Sequence, residues 1–283
     1  MAAAADGAVF VLGGLNTAGV TIGDVVRITP GTHTVTRVGT LAEATHGAAA
    51  VTAGGRIVIF GGAATTVHTV VQSFDPSTGI TTVIGSLAGP RADLAAATAG
   101  GRLVLLAGFD GSGPLRSVLI GSGATRFRTL TRLPQAVRYP AVAVSGGDVY
   151  LFGGLLAGGE YTGTFTPLIQ QVDPATGTTR IAGRLPYPVA HAKAVVLRGQ
   201  ILILGGSTPR GPTSDILRFD PARRGVTRVG RLPVPSTDGA VAAVGDTGYL
   251  AGGLSATGPL DQIVVIKLRS TTPARSAGWP YGR

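Results

Sequence analysis

A short apolar run that ends in two small residues, nearly always a glycine pair, recurs six times along the chain. The copies are VFVLGG (residues 9–14), IVIFGG (57–62), LVLLAG (103–108), VYLFGG (149–154), ILILGG (201–206) and GYLAGG (248–253). Their last glycines are 48, 46, 46, 52 and 47 residues apart, so six copies of one unit account for nearly the whole chain. A period of this length is typical of repeat folds, in which each unit needs its neighbours to bury its core.

Three other features keep a fixed distance from the glycine pair. Each copy after the first has a stretch of small residues upstream, such as AVAVSGG (141–147), and three copies place an Asp-Pro turn downstream, at Asp75, Asp173 and Asp220. A leucine precedes the next small-residue turn by 13 residues in five cases, at Leu41, Leu87, Leu133, Leu185 and Leu232. Runs of β-branched residues between turns at this spacing predict four short strands per repeat.

A single four-stranded sheet cannot bury both of its faces, whereas six such sheets around an axis can. We therefore predict an all-β fold, a six-bladed β-propeller of four-stranded antiparallel blades. Residues 1–268 are expected to form this one domain, with residues 269–283 as a C-terminal tail. The glycine pairs are expected where a side chain would collide with the neighbouring blade or force an unfavourable backbone angle.

These features resemble the kelch repeat, as found in galactose-oxidase-like central domains. The resemblance rests on the glycine pairs, the small first strand, the Asp-Pro turn, and a proline after Leu133, Leu185 and Leu232. It implies a six-bladed kelch-type propeller, a fold that serves both binding platforms and enzymes. The sequence disfavours a copper oxidase of the galactose-oxidase kind, because the cofactor of that family needs a cysteine-linked tyrosine and the chain has no cysteine.

The two ends of the repeat array differ from the other copies. Only five residues precede the first turn at Asp6, and the sixth copy has no obvious fourth strand after residue 268. We therefore expect ring closure to be incomplete within this chain, with an upstream segment that supplies the outer strand of the sixth blade and the leading end of the first. Such a segment would also be a place for an export signal or membrane anchor, so we expect an extracytoplasmic or membrane-associated protein.

Composition and motifs narrow the possible functions further. The 24 Lys and Arg residues exceed the 14 Asp and Glu residues, but the arginines are scattered, which disfavours nucleic acid as a partner. The longest stretch without a charged residue, 57–74, is broken by glycines and polar residues, so no transmembrane span is predicted. There is no P-loop, dinucleotide fingerprint or metal-ligand spacing, so we predict no cofactor and no metal. We expect a monomer.

One aligned position is a candidate binding site. Counting six residues past each closing leucine leads to Gly47, Asp93, Tyr139, His191 and Asp238, near the mouth of the channel. With the adjacent arginines, the predicted ligand-binding residues are Arg91, Asp93, Arg138, Tyr139, His191 and Asp238. A polar cluster of this kind suits a polar ligand. The plainer interpretation is that polar residues at a propeller mouth are only solvated by channel water.

Two functions remain open. The first is a non-catalytic binding or scaffold domain, extracytoplasmic, that recognises a protein or glycan with its loops, the longest of which carries Glu160 and Tyr161. The alternative is a carbohydrate-active enzyme that resembles kelch-type sialic-acid mutarotases. Asp93, Asp238 and His191 would then serve as general acid and base, and Arg91 or Arg138 would hold the carboxylate of an acidic sugar.

Overall fold

The computed structural model describes residues 1–159 and 161–269, and all helical or strand structure in this part of the chain is β. Blade 1 comprises β1–β4: Ala2–Ala5, Ala8–Leu15, Thr21–Ile28, Val35–Thr40. Blade 2 comprises β5–β8: Ala49–Ala53, Arg56–Phe60, Val70–Phe74, Thr81–Ser86. Blade 3 comprises β9–β12: Ala95–Ala99, Arg102–Leu106, Leu115–Gly121, Phe127–Val137. Blade 4 comprises β13, β14, β17 and β18: Ala141–Ser145, Asp148–Phe152, Leu168–Val172, Thr179–Arg184. Blade 5 comprises β19, β20, β23 and β24: Lys193–Leu197, Gln200–Leu204, Asp215–Asp220, Gly225–Arg231. Blade 6 comprises β25, β26 and β29: Ala240–Val244, Thr247–Ala251, Ile263–Lys267.

Each blade is an antiparallel meander whose strands lie in sequence order. The first strands contact one another in the closed order β1, β5, β9, β13, β19, β25 and back to β1, so they surround the axis. The predicted all-β, six-bladed propeller is therefore confirmed.

The propeller has two dissimilar ends. We call the end with the tight turns between first and second and between third and fourth strands, such as residues 54–55 and 75–80, the turn face. The loop face, at the opposite end, carries the connections between second and third strands and those between blades, such as residues 61–69 and 87–94. On the loop face three connections form short hairpins: β15–β16 (Leu155–Ala157, Thr164–Phe165), β21–β22 (Ser207–Thr208, Gly211–Pro212) and β27–β28 (Leu254–Ser255, Gly258–Pro259).

The hydrophobic core lies between neighbouring blades. Phe10 of blade 1 meets Phe74 of blade 2 with ring centroids 5.6 Å apart, and Phe152 of blade 4 meets Phe219 of blade 5 at 5.4 Å. All four side chains are almost completely buried. Burying a side chain of this size contributes about 1.5–3 kcal/mol, so these contacts hold adjacent blades together.

The glycine pairs lie where the second strand meets the loop to the third strand of the same blade. In blade 2, Gly61 and Gly62 have φ of +59° and +92°, in the left-handed region that favours glycine. A Cβ on Gly61 would overlap the carbonyl oxygen of Arg91, and one on Gly62 would overlap the Thr45 hydroxyl. The pair therefore meets both requirements expected from the sequence, close approach and a positive φ.

The ends of the array differ from each other. Blade 1 is a complete four-stranded sheet whose innermost strand is β1, whereas the described part of blade 6 has three strands. Residues 270–283, nearly all of the predicted tail, lie outside the described residues. No helix among the described residues is both long and apolar enough to span a membrane.

Candidate functional site

The aligned position predicted from the sequence forms a chain of backbone contacts at the loop-face mouth of the channel. The amide of Asp93 donates to the carbonyl of Gly47 (2.6 Å), Tyr139 to Asp93 (2.9 Å), His191 to Tyr139 (3.0 Å) and Asp238 to His191 (3.2 Å). All five residues are left-handed, with φ between +54° and +61°. Successive blades are thus linked through one equivalent residue each, which we call the mouth residues.

Gly47 shows what this backbone conformation requires. Glycine adopts a left-handed φ without cost, whereas for other residues it costs about 1–2 kcal/mol. A Cβ on Gly47 would lie 2.5 Å from the Asp93 carboxylate, so the glycine also leaves room for that side chain. The remaining four mouth residues retain side chains in spite of the strain.

Arg138 and Asp93 form one half of the cluster. The Arg138 Nε lies 3.0 Å from Asp93 Oδ2, and the two side chains are only 16% and 5% exposed. The contact is an ion pair rather than a well-directed hydrogen bond. The Arg138 guanidinium also donates to the Tyr139 hydroxyl (2.9 Å) and lies about 4.5 Å from the ring centroids of Phe109 and Tyr139. These contacts fix the guanidinium in place and compensate the buried carboxylate.

His191 and Asp238 form the other half. The His191 imidazole is fully buried and stacks on Tyr139 and Tyr161, with centroids 3.9 Å and 4.9 Å apart. Its Nδ1 lies 2.7 Å from Asp238 Oδ1, while the Tyr161 hydroxyl donates to Asp238 Oδ2 at 2.9 Å. The Thr237 hydroxyl donates to the same oxygen at 3.2 Å. The imidazole therefore has a fixed plane and a fixed hydrogen-bond partner.

Opposing effects act on the Asp238 carboxyl. Burial tends to raise its pKa, but the hydrogen bond from His191 and the attraction of His191 and Lys193 act more strongly together, with help from the Tyr161 hydroxyl. The net result is a pKa below the usual aspartate value. Asp238 is therefore a carboxylate at neutral pH, suited to accept hydrogen bonds and unsuited to donate a proton.

The structure brings five of the six predicted site residues into one continuous cluster: Asp93, Arg138, Tyr139, His191 and Asp238. Arg91 does not join them. Its buried guanidinium donates to the carbonyls of Ala107 (2.9 Å) and Ser117 (3.3 Å) and to the Ser117 hydroxyl. Burial lowers the pKa of Arg91 to about 10, against a smaller opposite effect of Asp110. Arg91 thus ties the inter-blade connection to blade 3 behind the mouth.

Two aromatic residues of the cluster were not among the predicted site residues. Tyr161 belongs to the longest loop between second and third strands, and it reaches a carboxylate 77 positions further along the chain. Phe109 directly follows the Ala-Gly pair of the third copy. The extra length of the Tyr161 loop is visible in the sequence, whereas the direction in which the loop folds is not. Its neighbour Glu160 lies outside the described residues.

The exposed atoms of the cluster decide what a ligand could touch. Tyr161 is 42% exposed, and the side chains of Asp238 and Arg138 are 29% and 16% exposed, whereas those of Asp93 and His191 are buried. A ligand at the mouth would therefore meet an aromatic ring, a carboxylate and a guanidinium, supported from below by the other side chains. Within residues 1–159 and 161–269, no three His, Asp or Glu side chains are placed to hold a metal ion.

Comparison with known proteins identifies the fold and nothing finer. No protein-family model matches the chain, and neither does any curated protein sequence. A solved structure described as the structure of YjhT is similar to this chain, with a TM-score of 0.79 and 14% sequence identity. The match covers 95% of this chain and 94% of the YjhT chain. At that identity the similarity shows the propeller fold alone. Because 517 chains of solved structures match, the fold does not select a function.

Proposed function

We propose that the chain is a kelch-like propeller that acts as a non-catalytic binding domain and recognises a glycan or a protein with its loop face. One observation supports this most strongly: Asp93, Tyr139, His191 and Asp238 keep side chains at a left-handed position that glycine would occupy without cost. Strained residues of this kind cluster at functional sites, where the surrounding contacts hold them in place. The ion pair and the ring stacks of the cluster supply those contacts.

The exposed groups favour a glycan over a protein. A sugar presents an apolar ring face that packs on an aromatic side chain, and hydroxyls that pair with carboxylate and guanidinium groups. Tyr161 and Asp238 offer two of these partners in direct contact, and Arg138 offers the third in the same cluster. A standard protein interface buries about 800 Å² on each partner, far more than three side chains provide. Because the cluster is already ordered, little conformational entropy is lost when a ligand binds.

The second candidate is a carbohydrate-active enzyme that resembles kelch-type sialic-acid mutarotases. The contact that favours it is the 2.7 Å separation of His191 Nδ1 and Asp238 Oδ1, since a carboxylate can orient an imidazole as a general base. We rank it second for two reasons. Asp238 has a lowered pKa and cannot act as the acid, and the His191 imidazole is fully buried.

We also propose an extracytoplasmic location, which rests on the absence of cysteine and on the threonine-rich outer strands. Fractionation of the natural source with an antibody against the chain tests this proposal. Recovery outside the cytoplasm supports it, and recovery in the cytosol alone contradicts it.

A glycan array with the purified chain, followed by titration of the best-bound glycan, tests the binding function. Tyr161→Phe removes the hydroxyl that fixes the Tyr161 ring beside Asp238. We expect about tenfold weaker binding, because a ring that is no longer held must be ordered when the glycan binds. The matched control is Tyr187→Phe, which removes a hydroxyl that donates to Asp215 at the same 2.9 Å but outside the cluster. Binding by Tyr187→Phe should equal that of the unmodified chain.

An array without binding, or equal losses in the two variants, would contradict a glycan site at the mouth. An NMR assay of sugar-anomer exchange separates the two candidate functions. Exchange catalysed by the unmodified chain and lost in Asp238→Asn would favour the enzyme.

A further inference from the structure

A cavity lies on the turn face, at the opposite end of the propeller from the mouth. It has a volume of about 750 Å³ and lies between blades 2 and 3, where Ala53 of blade 2 faces the turn of residues 121–126. Three arginines of blade 3 line it, Arg102, Arg126 and Arg128, together with Phe127. All three arginines are exposed. We call this space the blade 3 cavity.

The turn at this cavity differs from its equivalents in three other blades. In blades 2, 4 and 5 the third strand ends at or just before an aspartate whose Oδ1 accepts a hydrogen bond from the backbone amide two positions later: Asp75, Asp173 and Asp220. Strand pairing places Ser122 at the same position of blade 3, because Gly121 pairs with Phe127 as Phe74 pairs with Thr81. Blade 3 has therefore lost a carboxylate where these blades carry one.

The lost carboxylate leaves an arginine unpaired. Arg56 is the first residue of the second strand in blade 2, and its guanidinium lies 3.0 Å from Asp75 Oδ2. Arg102 holds the same place in blade 3, since it pairs with Ala99 as Arg56 pairs with Ala53. Ser122 now stands where the partner of Arg102 would be. Within the described part of the chain, no ion pair involves Arg102, Arg126 or Arg128.

The local charge reinforces this arrangement. From residue 94 to residue 137 the only acidic side chain is Asp110, which follows the glycine pair and so lies on the loop face. Three exposed arginines therefore line one cavity to which their own blade contributes no carboxylate. Guanidinium forks match the oxygens of phosphate and sulfate in pairs, which makes such a group of arginines a suitable anion site. The cavity volume falls within the range of small-ligand sites.

We propose that the blade 3 cavity binds an anionic ligand that carries phosphate or sulfate ester groups. The arginines neutralise the ester oxygens, the Ser122 hydroxyl supplies a further donor, and Phe127 forms an apolar wall. The site is separate from the mouth and does not depend on the function proposed for the mouth. Phosphate and sulfate groups are both tetrahedral oxyanions, and arginines bind them through the same contacts. The experiment below therefore uses one probe of each kind.

Calorimetric titration of the full chain with inorganic tripolyphosphate and with a sulfated heparin-derived tetrasaccharide, each at 50 and 200 mM salt, tests the proposal. We expect the chain to bind at least one probe, more weakly at high salt because arginine–anion contacts are screened. Binding of only the phosphate or only the sulfated probe identifies which of the two anions the cavity recognises. Absence of binding by both probes at low salt overturns the proposal.

Three variants locate the site. Arg126→Gln with Arg128→Gln should weaken binding at least tenfold, whereas Arg223→Gln with Arg224→Gln, which removes the same charge at the equivalent turn of blade 5, should change it less than twofold. Equal losses in the two double variants would mean attraction by net charge and would overturn the site. Ser122→Asp restores the carboxylate found in three other blades and should also weaken binding tenfold; unchanged binding would contradict the proposal.

Folding and the mouth are controlled separately. Circular dichroism melts should show folded protein for every variant, and Ser122→Asp is expected to fold because blades 2, 4 and 5 carry aspartate there. Tyr161→Phe, which alters only the mouth, should leave binding of both probes unchanged. If it weakened them as much as the arginine variants, the anions would bind at the mouth and the proposal would be wrong.

Discussion

The loop-face mouth and the blade 3 cavity hold their charges in opposite ways. At the mouth, Arg138 is paired with Asp93 and His191 with Asp238, and three of these four side chains are less than one fifth exposed. In the blade 3 cavity, exposed arginines face a serine where three other blades place an aspartate. The repeat register is the same at both ends. What differs is which side chains occupy the equivalent positions, and this decides the chemistry of each end.

This difference suggests a division of roles. The mouth is already ordered by its internal contacts, so it suits a ligand that exchanges hydrogen bonds with fixed groups. The blade 3 cavity has uncompensated positive charge, so it suits an anion whose binding varies with salt. If the paired side chains of the mouth stabilise the fold, removing one of them should lower the stability more than removing an arginine of the blade 3 cavity.

Removal of Arg138 is expected to have the largest effect on stability. Arg138→Ala leaves the Asp93 carboxylate, 5% exposed, without its cation, and loss of one partner of a buried pair costs about 3–5 kcal/mol. Urea unfolding at pH 7 measures the loss. Arg126→Ala in the blade 3 cavity removes an exposed arginine without an ion pair and should leave the midpoint unchanged.

A second substitution should rescue the first. Adding Asp93→Gly to Arg138→Ala removes the buried carboxylate and relieves the left-handed strain, as Gly47 does in the preceding blade. We expect the double variant to be more stable than Arg138→Ala alone. If it is less stable, the cost of Arg138→Ala does not come from the buried carboxylate.

Replacing one glycine by alanine at each end of the propeller should have a smaller effect on stability. Gly62→Ala introduces a Cβ that overlaps the Thr45 hydroxyl, whereas a Cβ on Gly54 on the turn face meets open space. Both positions have positive φ, so both variants should lose about 1–2 kcal/mol. Gly62→Ala should lose about 1–3 kcal/mol more through overpacking. Equal unfolding midpoints for the two variants would contradict the close approach at the glycine pair.

The smallest effect concerns the protonation of Asp238. Because its pKa is lowered in the folded state, its contribution to stability is present above the usual aspartate pKa of about 4 and is lost as pH falls through the lower folded value. Asp238→Asn should therefore cost about 1–2 kcal/mol at pH 7 and progressively less below pH 4. Urea unfolding at pH 7, 5 and 3 checks this. A difference at pH 3 as large as that at pH 7 would mean that the loss comes from packing rather than from charge.

The repeat register made the fold and the mouth residues predictable from the sequence. Six glycine pairs and the constant 13-residue distance from each closing leucine to the next turn aligned the blades. The same alignment put Gly47, Asp93, Tyr139, His191 and Asp238 at one equivalent position, where the structure shows the same backbone conformation in each. Such regularity arises because equivalent residues of every blade meet the same neighbouring strands.

The contacts beyond the register were not predictable. Arg91 lies two positions before Asp93, but its long side chain turns to the carbonyl groups of blade 3 instead of the mouth. Tyr161 reaches Asp238 across 77 positions because a loop folds back, a direction that no local pattern encodes. The arginines of blade 3 are scattered in the sequence, but the pairing of three strands gathers three of them at one cavity.

A crystal structure of the chain with the glycan that it binds best would test the central claim, that the loop-face cluster is the binding site, most directly. The account predicts electron density for the glycan at the mouth, with a sugar ring on Tyr161 and hydroxyl groups within hydrogen-bond distance of Asp238 and Arg138. Glycan density on the turn face or along the outer strands, with the mouth occupied only by water, would contradict it.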